Sequence, residues 1–106
     1  MSTSYPNTNL YIDGRWQPAA SGDTIDVINP ANEEVIGTVA RAGTSDLDEA
    51  LSAADKAFKI WKNTSAFDRY KVLRKAADLL RQRADVIAQI MTIEQGKPLA
   101  ESKGET

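Results

Sequence analysis

Residues 93–101 read Ile93-Glu94-Gln95-Gly96-Lys97-Pro98-Leu99-Ala100-Glu101, so that a glycine, a lysine and a proline follow directly on a long apolar-periodic run. A phosphate-binding loop of the G-x-x-x-x-G-K-[ST] kind needs glycine five residues before Gly96 and a hydroxyl residue after Lys97. This chain has Met91 and Pro98 at those places. Read as a helix joint, the same residues each have a role. Glycine ends one helix in the left-handed conformation, and proline at the first position of the next gives up no hydrogen bond. Lys97, beside a helix start, either approaches an anion or is a solvated lysine. The joint reading fixes the fold class of the C-terminal half as helical.

Upstream of the joint, Val72, Leu73, Ala76, Leu79, Leu80, Ala84, Ile87, Ile90 and Met91 recur at helical spacing almost to Glu94, with a bend expected near Arg83 to Asp85. Ser65, followed three residues later by Asp68, marks the start of this run as an N-cap signal. Lys62-Asn63-Thr64 separates it from an earlier stripe of Leu47, Ala50, Leu51, Ala54, Ala57, Phe58 and Trp61. Ser45 with Asp48 is expected to cap that helix, with Asp in place of the usual Glu or Gln of a capping box. Both stripes read as core-facing. Trp16 and Trp61 read as core or half-buried anchors, with a subunit contact as the other use of an aromatic near a hairpin.

Before Gly43 the period changes. Asp13-Gly14 separates the β-prone stretches Leu10 to Ile12 and Arg15 to Gln17, and Asp-Gly supplies the positive φ angles of a tight hairpin. Thr24 to Ile28 and Glu34 to Ala40 form a second candidate hairpin across the turn formers Asn29-Pro30-Ala31-Asn32-Glu33. Residues 1–8 read as a flexible N-terminal arm. After the joint, residues 98–106 carry no stop signal, and the chain is expected to end inside an element.

Composition narrows the chemistry. The 106 residues include 13 basic and 15 acidic side chains of interspersed sign, a net charge of -2, which gives no purchase to nucleic acid or an anionic membrane. No cysteine and no histidine are present, which excludes a thiol nucleophile, imidazole acid/base catalysis and Cys/His zinc sites within this chain. The six glycines never fall two apart, so a dinucleotide-type G-x-G-x-x-G is absent. Neither a leader nor a membrane span is visible, and a cytoplasmic protein is expected. Glu101 and Glu105 fall on one face of a regular final helix, where they serve as a cation or carboxylate pair or as plain surface acids. Arg69, Arg74, Arg81 and Arg83 lie mostly off the apolar stripe and read as solvated.

Three pieces in order change what this composition implies: Ile12-Asp13-Gly14-Arg15-Trp16, then Val27-Ile28-Asn29-Pro30-Ala31, then Glu94-Gln95-Gly96-Lys97-Pro98. From about residue 9 through Thr106 the chain resembles the N-terminal part of the NAD(P)-dependent aldehyde dehydrogenase family. The stretch from Glu94 to Glu105 is most similar to the succinate-semialdehyde type, with betaine-aldehyde and aminobutyraldehyde enzymes as near alternatives. The resemblance implies an α/β parent with a Rossmann-like, doubly wound cofactor domain, of which residues 9–106 are an incomplete N-terminal part. This chain alone would be two N-terminal β-hairpins followed by amphipathic helices. It further implies a homo-oligomeric enzyme that uses NAD or NADP to oxidise a small aldehyde by thiolate attack, hydride transfer and thioester hydrolysis. No residue here matches the family's catalytic or nicotinamide-binding positions, so the segment's role would be structural and the chain alone inactive. One carry-over exists: a monovalent cation held by the main-chain oxygens of Val27 and Ile28 and the carboxylate of Glu105. The rival reading is a stand-alone, non-catalytic interaction module.

Overall fold

The structure, a computed structural model, describes residues 4–106. Strands β1 (Leu10–Ile12) and β2 (Arg15–Gln17) form one antiparallel pair, and β3 (Thr24–Ile28) and β4 (Val35–Ala40) form another. Helices α1 (Thr44–Trp61), α2 (Ala66–Gln82), α3 (Ala84–Gln95) and α4 (Leu99–Glu105) follow. The expected order of two hairpins and then helices is the order observed.

The first hairpin turns on Asp13 (φ 53°) and Gly14 (φ 76°), the successive left-handed residues of a tight two-residue turn. That turn sets the register Tyr11 opposite Trp16, whose rings lie 4.9 Å apart. In the second hairpin Asn29 organises the turn. Its Oδ1 accepts the Ala31 N–H at 3.0 Å, its carbonyl accepts the Glu33 N–H at 2.8 Å, and its own N–H donates to the Glu34 carbonyl at 2.9 Å. Glu33 takes up the left-handed conformation (φ 62°), and the ladder slips by a bulge between Val27 and Ile28.

The start of α1 differs from the sequence expectation by two residues. Gly43 is the N-cap, and Asp46, not Asp48, reaches back to accept the Gly43 N–H at 2.9 Å. Gly43 has no side chain, so only that half of the reciprocal box exists. Ser45 lies inside the first turn. The α2 start is as the sequence indicates, with Ser65 Oγ accepting the Asp68 N–H at 3.1 Å. The single long run breaks at Arg83 (φ -103°, ψ 9°) into α2 and α3. Gly96 closes α3 in the left-handed conformation (φ 87°). Pro98 stands one place ahead of its expected position, as the N-cap of α4, where its extended backbone (ψ 144°) offers its carbonyl to Glu101 and Ser102.

Among the described residues the buried apolar side chains are Ile12, Ala19, Ala40 and Ala88, joined by the polar Asp46 and Ser102. The expectation that both helical stripes face a core fails within this chain, where Leu51 is 59% exposed, Phe58 60% and Leu73 64%. Trp16 is exposed as well. Helix α1 touches β1, α3 packs on α4, and α2 makes no more than marginal contact with any element. The outline is a slab of 47 × 36 × 16 Å with an accessible surface of 8013 Å². A compact protein of this mass exposes about 5,800 Å². A helical stripe marks a face suited to cover, and does not place that cover in the same 106 residues.

The arm expected over residues 1–8 is anchored over 5–8, whereas residues 1–3 lie outside the described residues. Thr8 pairs with β4 through its N–H to the Thr38 carbonyl (2.9 Å) and its carbonyl to the Ala40 N–H (2.8 Å).

Candidate functional site

Polar groups converge at the α3–α4 joint. Two helices that meet end to end leave carbonyls and N–H groups unpaired, and short polar side chains fill that need. Thr92 Oγ1 and Ser102 Oγ lie 2.8 Å apart, with Ser102 fully buried, so the pair fastens α3 to α4. Lys97 reaches across the turn to form an ion pair with Glu105, its own side chain only 18% exposed. Glu94 accepts a hydrogen bond from the Tyr5 hydroxyl at 3.0 Å. Burial, and then the bond to Glu94 and its negative charge, raise the Tyr5 phenol above its ordinary value of 10.0. An open cleft of about 440 Å³ lies here, lined by Ile87, Ile90, Met91, Glu94, Gln95, Lys97 and Glu105.

Of the three residues expected to hold a cation, Glu105 lines this cleft and is engaged by Lys97. Val27 and Ile28 flank the register shift that leaves Ile36 of β4 unpaired, and they do not line the cleft. What links the two regions is Pro30: a Cβ added to Gly96 would come within 2.8 Å of its Cγ. Among the described residues no group of three or more Asp, Glu, His or Cys side chains gathers. Glu101 is exposed on α4, and the ion pair of Lys97 at the joint uses Glu105 instead.

Two positioning residues escaped the sequence reading. Asp46, 4% exposed, accepts the Ala20 N–H (3.1 Å to Oδ1) as well as that of Gly43 (2.9 Å to Oδ2), and so ties the β2–β3 connection to the start of α1. Tyr5 reaches Glu94 from the far end of the chain. For Asp46 a signal existed, since it is the acid three residues after Gly43, an acceptable N-cap. For Tyr5 none did.

The joint therefore ties α3, α4 and the N-terminal segment together through side-chain pairs. Residues 16–106 match the aldehyde dehydrogenase family. The chain belongs to that family. Over 95 residues, 90% of this chain, it is 50% identical to a glutarate-semialdehyde dehydrogenase of Pseudomonas putida. Among solved structures, an aldehyde dehydrogenase of Brucella melitensis biovar abortus superposes with a TM-score of 0.92 over 98% of this chain, at 46% identity, and 22% of its own chain is covered. A betaine aldehyde dehydrogenase of Staphylococcus aureus, solved with NAD+, gives a TM-score of 0.89 at 37% identity over 93% of this chain and 20% of its own. The chain spans 20% of the length of the Pseudomonas putida relative. Among the described residues, no helix of this aldehyde dehydrogenase segment is long and apolar enough to cross a membrane.

Proposed function

We propose that this chain is the N-terminal portion of a cytoplasmic, homo-oligomeric aldehyde dehydrogenase that uses NAD or NADP to oxidise a short semialdehyde bearing a terminal carboxylate. Succinate semialdehyde is the substrate favoured by the Glu94–Glu105 sequence. The glutarate analogue carried in the name of the Pseudomonas putida relative is one methylene longer. Both share the far-end carboxylate, and a methylene is worth only about 1–3 kcal/mol of discrimination. Betaine aldehyde carries a cation there instead. The segment itself is structural: it has no cysteine for the thiolate and no histidine. The observation that carries this role is the exposed apolar face of α1 and α2, a surface made to be covered.

An NAD(P)-coupled assay of the complete polypeptide with succinate semialdehyde, glutarate semialdehyde and betaine aldehyde, compared at equal concentration, tests the substrate class. The carboxylate aldehydes are expected to exceed betaine aldehyde in kcat/KM by about a hundredfold, as befits a site that pairs with one sign of charge. A preference for betaine aldehyde overturns the reading.

The proposal includes a monovalent cation at Val27, Ile28 and Glu105. The register shift between Val27 and Ile28, where Ile36 of β4 is left unpaired, supports it, because the regular ladder is disrupted beside both carbonyls. Lys97 is its built-in competitor, since its ammonium already meets the carboxylate. When bound, such an ion would supply only positive charge for oxygen ligands. Melting of the complete polypeptide in potassium against choline chloride, at constant ionic strength, is expected to show potassium stabilisation that Glu105→Gln removes and Lys97→Met strengthens. Equal melting temperatures in both salts for the parent protein would sink the cation.

A further inference from the structure

We propose that residues 5–8 form a clasp that closes the β3–β4 ribbon onto the end of α3, with Gly37 as the seat for the Tyr5 ring. Four contacts carry this. The main chain of Thr8 bonds on both sides to β4, at Thr38 and Ala40, as a parallel strand on that strand's outer edge. Asn7 Oδ1 accepts the Thr38 N–H at 2.9 Å. The Tyr5 ring covers Gly37 so closely that a Cβ there would lie 2.5 Å from its Cδ1 and 3.2 Å from its Cε1. Its hydroxyl then donates to Glu94 at the C-terminal end of α3.

Gly37 is not among the positive-φ residues, so its backbone does not ask for glycine. The ring does. A glycine inside a strand weakens it and marks a close approach by another group, which here is Tyr5. An open strand edge also offers N–H groups to passing chains, and residues 7 and 8 take up those of Thr38 and Ala40. One short segment therefore closes the sheet edge and reaches the helix joint, and its release would uncover both. The inference stands on these contacts and does not depend on the substrate reading.

Amide hydrogen exchange on the complete polypeptide tests it. Gly37→Ala is expected to speed exchange at Thr8, Thr38 and Ala40 by about tenfold, while Asn29, bonded to Glu34 within the ribbon's own turn, keeps its rate. Tyr5→Phe, which keeps the ring and loses the bond to Glu94, is expected to speed the same amides by a smaller factor. Adding Gly37→Ala to Tyr5→Ala should add less than Gly37→Ala does alone, because the ring is then gone and the new methyl meets only Asn7 Oδ1, at 3.1 Å. Either of two results overturns the clasp: unchanged exchange in Gly37→Ala, or a rise at Asn29 as large as that at Thr38, which would make the glycine a requirement of the ribbon alone.

Discussion

Asp46 receives N–H groups from Ala20 and Gly43, so its carboxylate holds a loop and a helix start to each other while almost wholly out of water. Removing it strands two donors. Asp46→Ala is expected to cost about 2–3 kcal/mol in the complete polypeptide, whereas Asp48→Ala should stay within about 0.5 kcal/mol, read as the shift in thermal unfolding. Equal losses would restore the cap to Ser45. The sequence pattern alone could not choose, because Gly43 with Asp46 and Ser45 with Asp48 both have cap spacing. The decision came from Ala20, distant in sequence, which no local pattern contains. At Ser65 no rival frame existed, and there the pattern was sufficient. Tyr5 offers a second residue-scale prediction. Its phenol is raised above 10.0 by burial first and then by Glu94, so its contribution to stability is whole below that pH and is lost as pH rises through the higher folded value. Glu94 is the charged group that faces it, and Lys97 and Glu105 line the same cleft. The fall in melting temperature above pH 10 should therefore be steeper in the parent protein than in Tyr5→Phe; parallel slopes would mean that the phenol does not sense Glu94.

At the scale of elements, the joint that opened the sequence reading is closed by features of different range. Gly96 was legible because the left-handed turn it makes is local. Its second constraint was not legible: the Pro30 ring, brought over by the β3–β4 turn, leaves no room for a side chain. Gly96→Ala then meets both, about 1–2 kcal/mol for the left-handed conformation and a further part for the contact. Placing Pro30→Ala beside it is expected to recover the contact part and not the conformational part, measured as unfolding midpoints in a double-mutant cycle. Strict additivity would show that the turn and the joint do not press on one another. The pairing of Lys97 with Glu105 belongs to this scale too, since it crosses from the joint to the far turn of α4 and decides which acid of that helix is engaged.

For the molecule as a whole, local order and missing cover go together. The caps, both hairpin turns and the Gly96 stop are formed within short spans, and α1 and α2 are regular, yet their apolar faces meet water. The excess of roughly 2,000 Å² over a compact protein of this mass is as large as a complete protein–protein interface. Such a surface is legible in sequence as periodicity; its cover is not, because periodicity specifies a face and never its occupant. The structural role assigned to the segment makes a definite demand here. In the complete polypeptide, Leu51→Ala and Phe58→Ala should each cost what buried side chains cost, about 2–5 kcal/mol. In this chain alone, where those side chains are already 59% and 60% exposed, the same changes remove little contact and should instead reduce self-association in light scattering. If the complete polypeptide tolerates both at less than about 0.5 kcal/mol, the helical face is solvent-facing in the assembled protein as well, and the covering role is wrong.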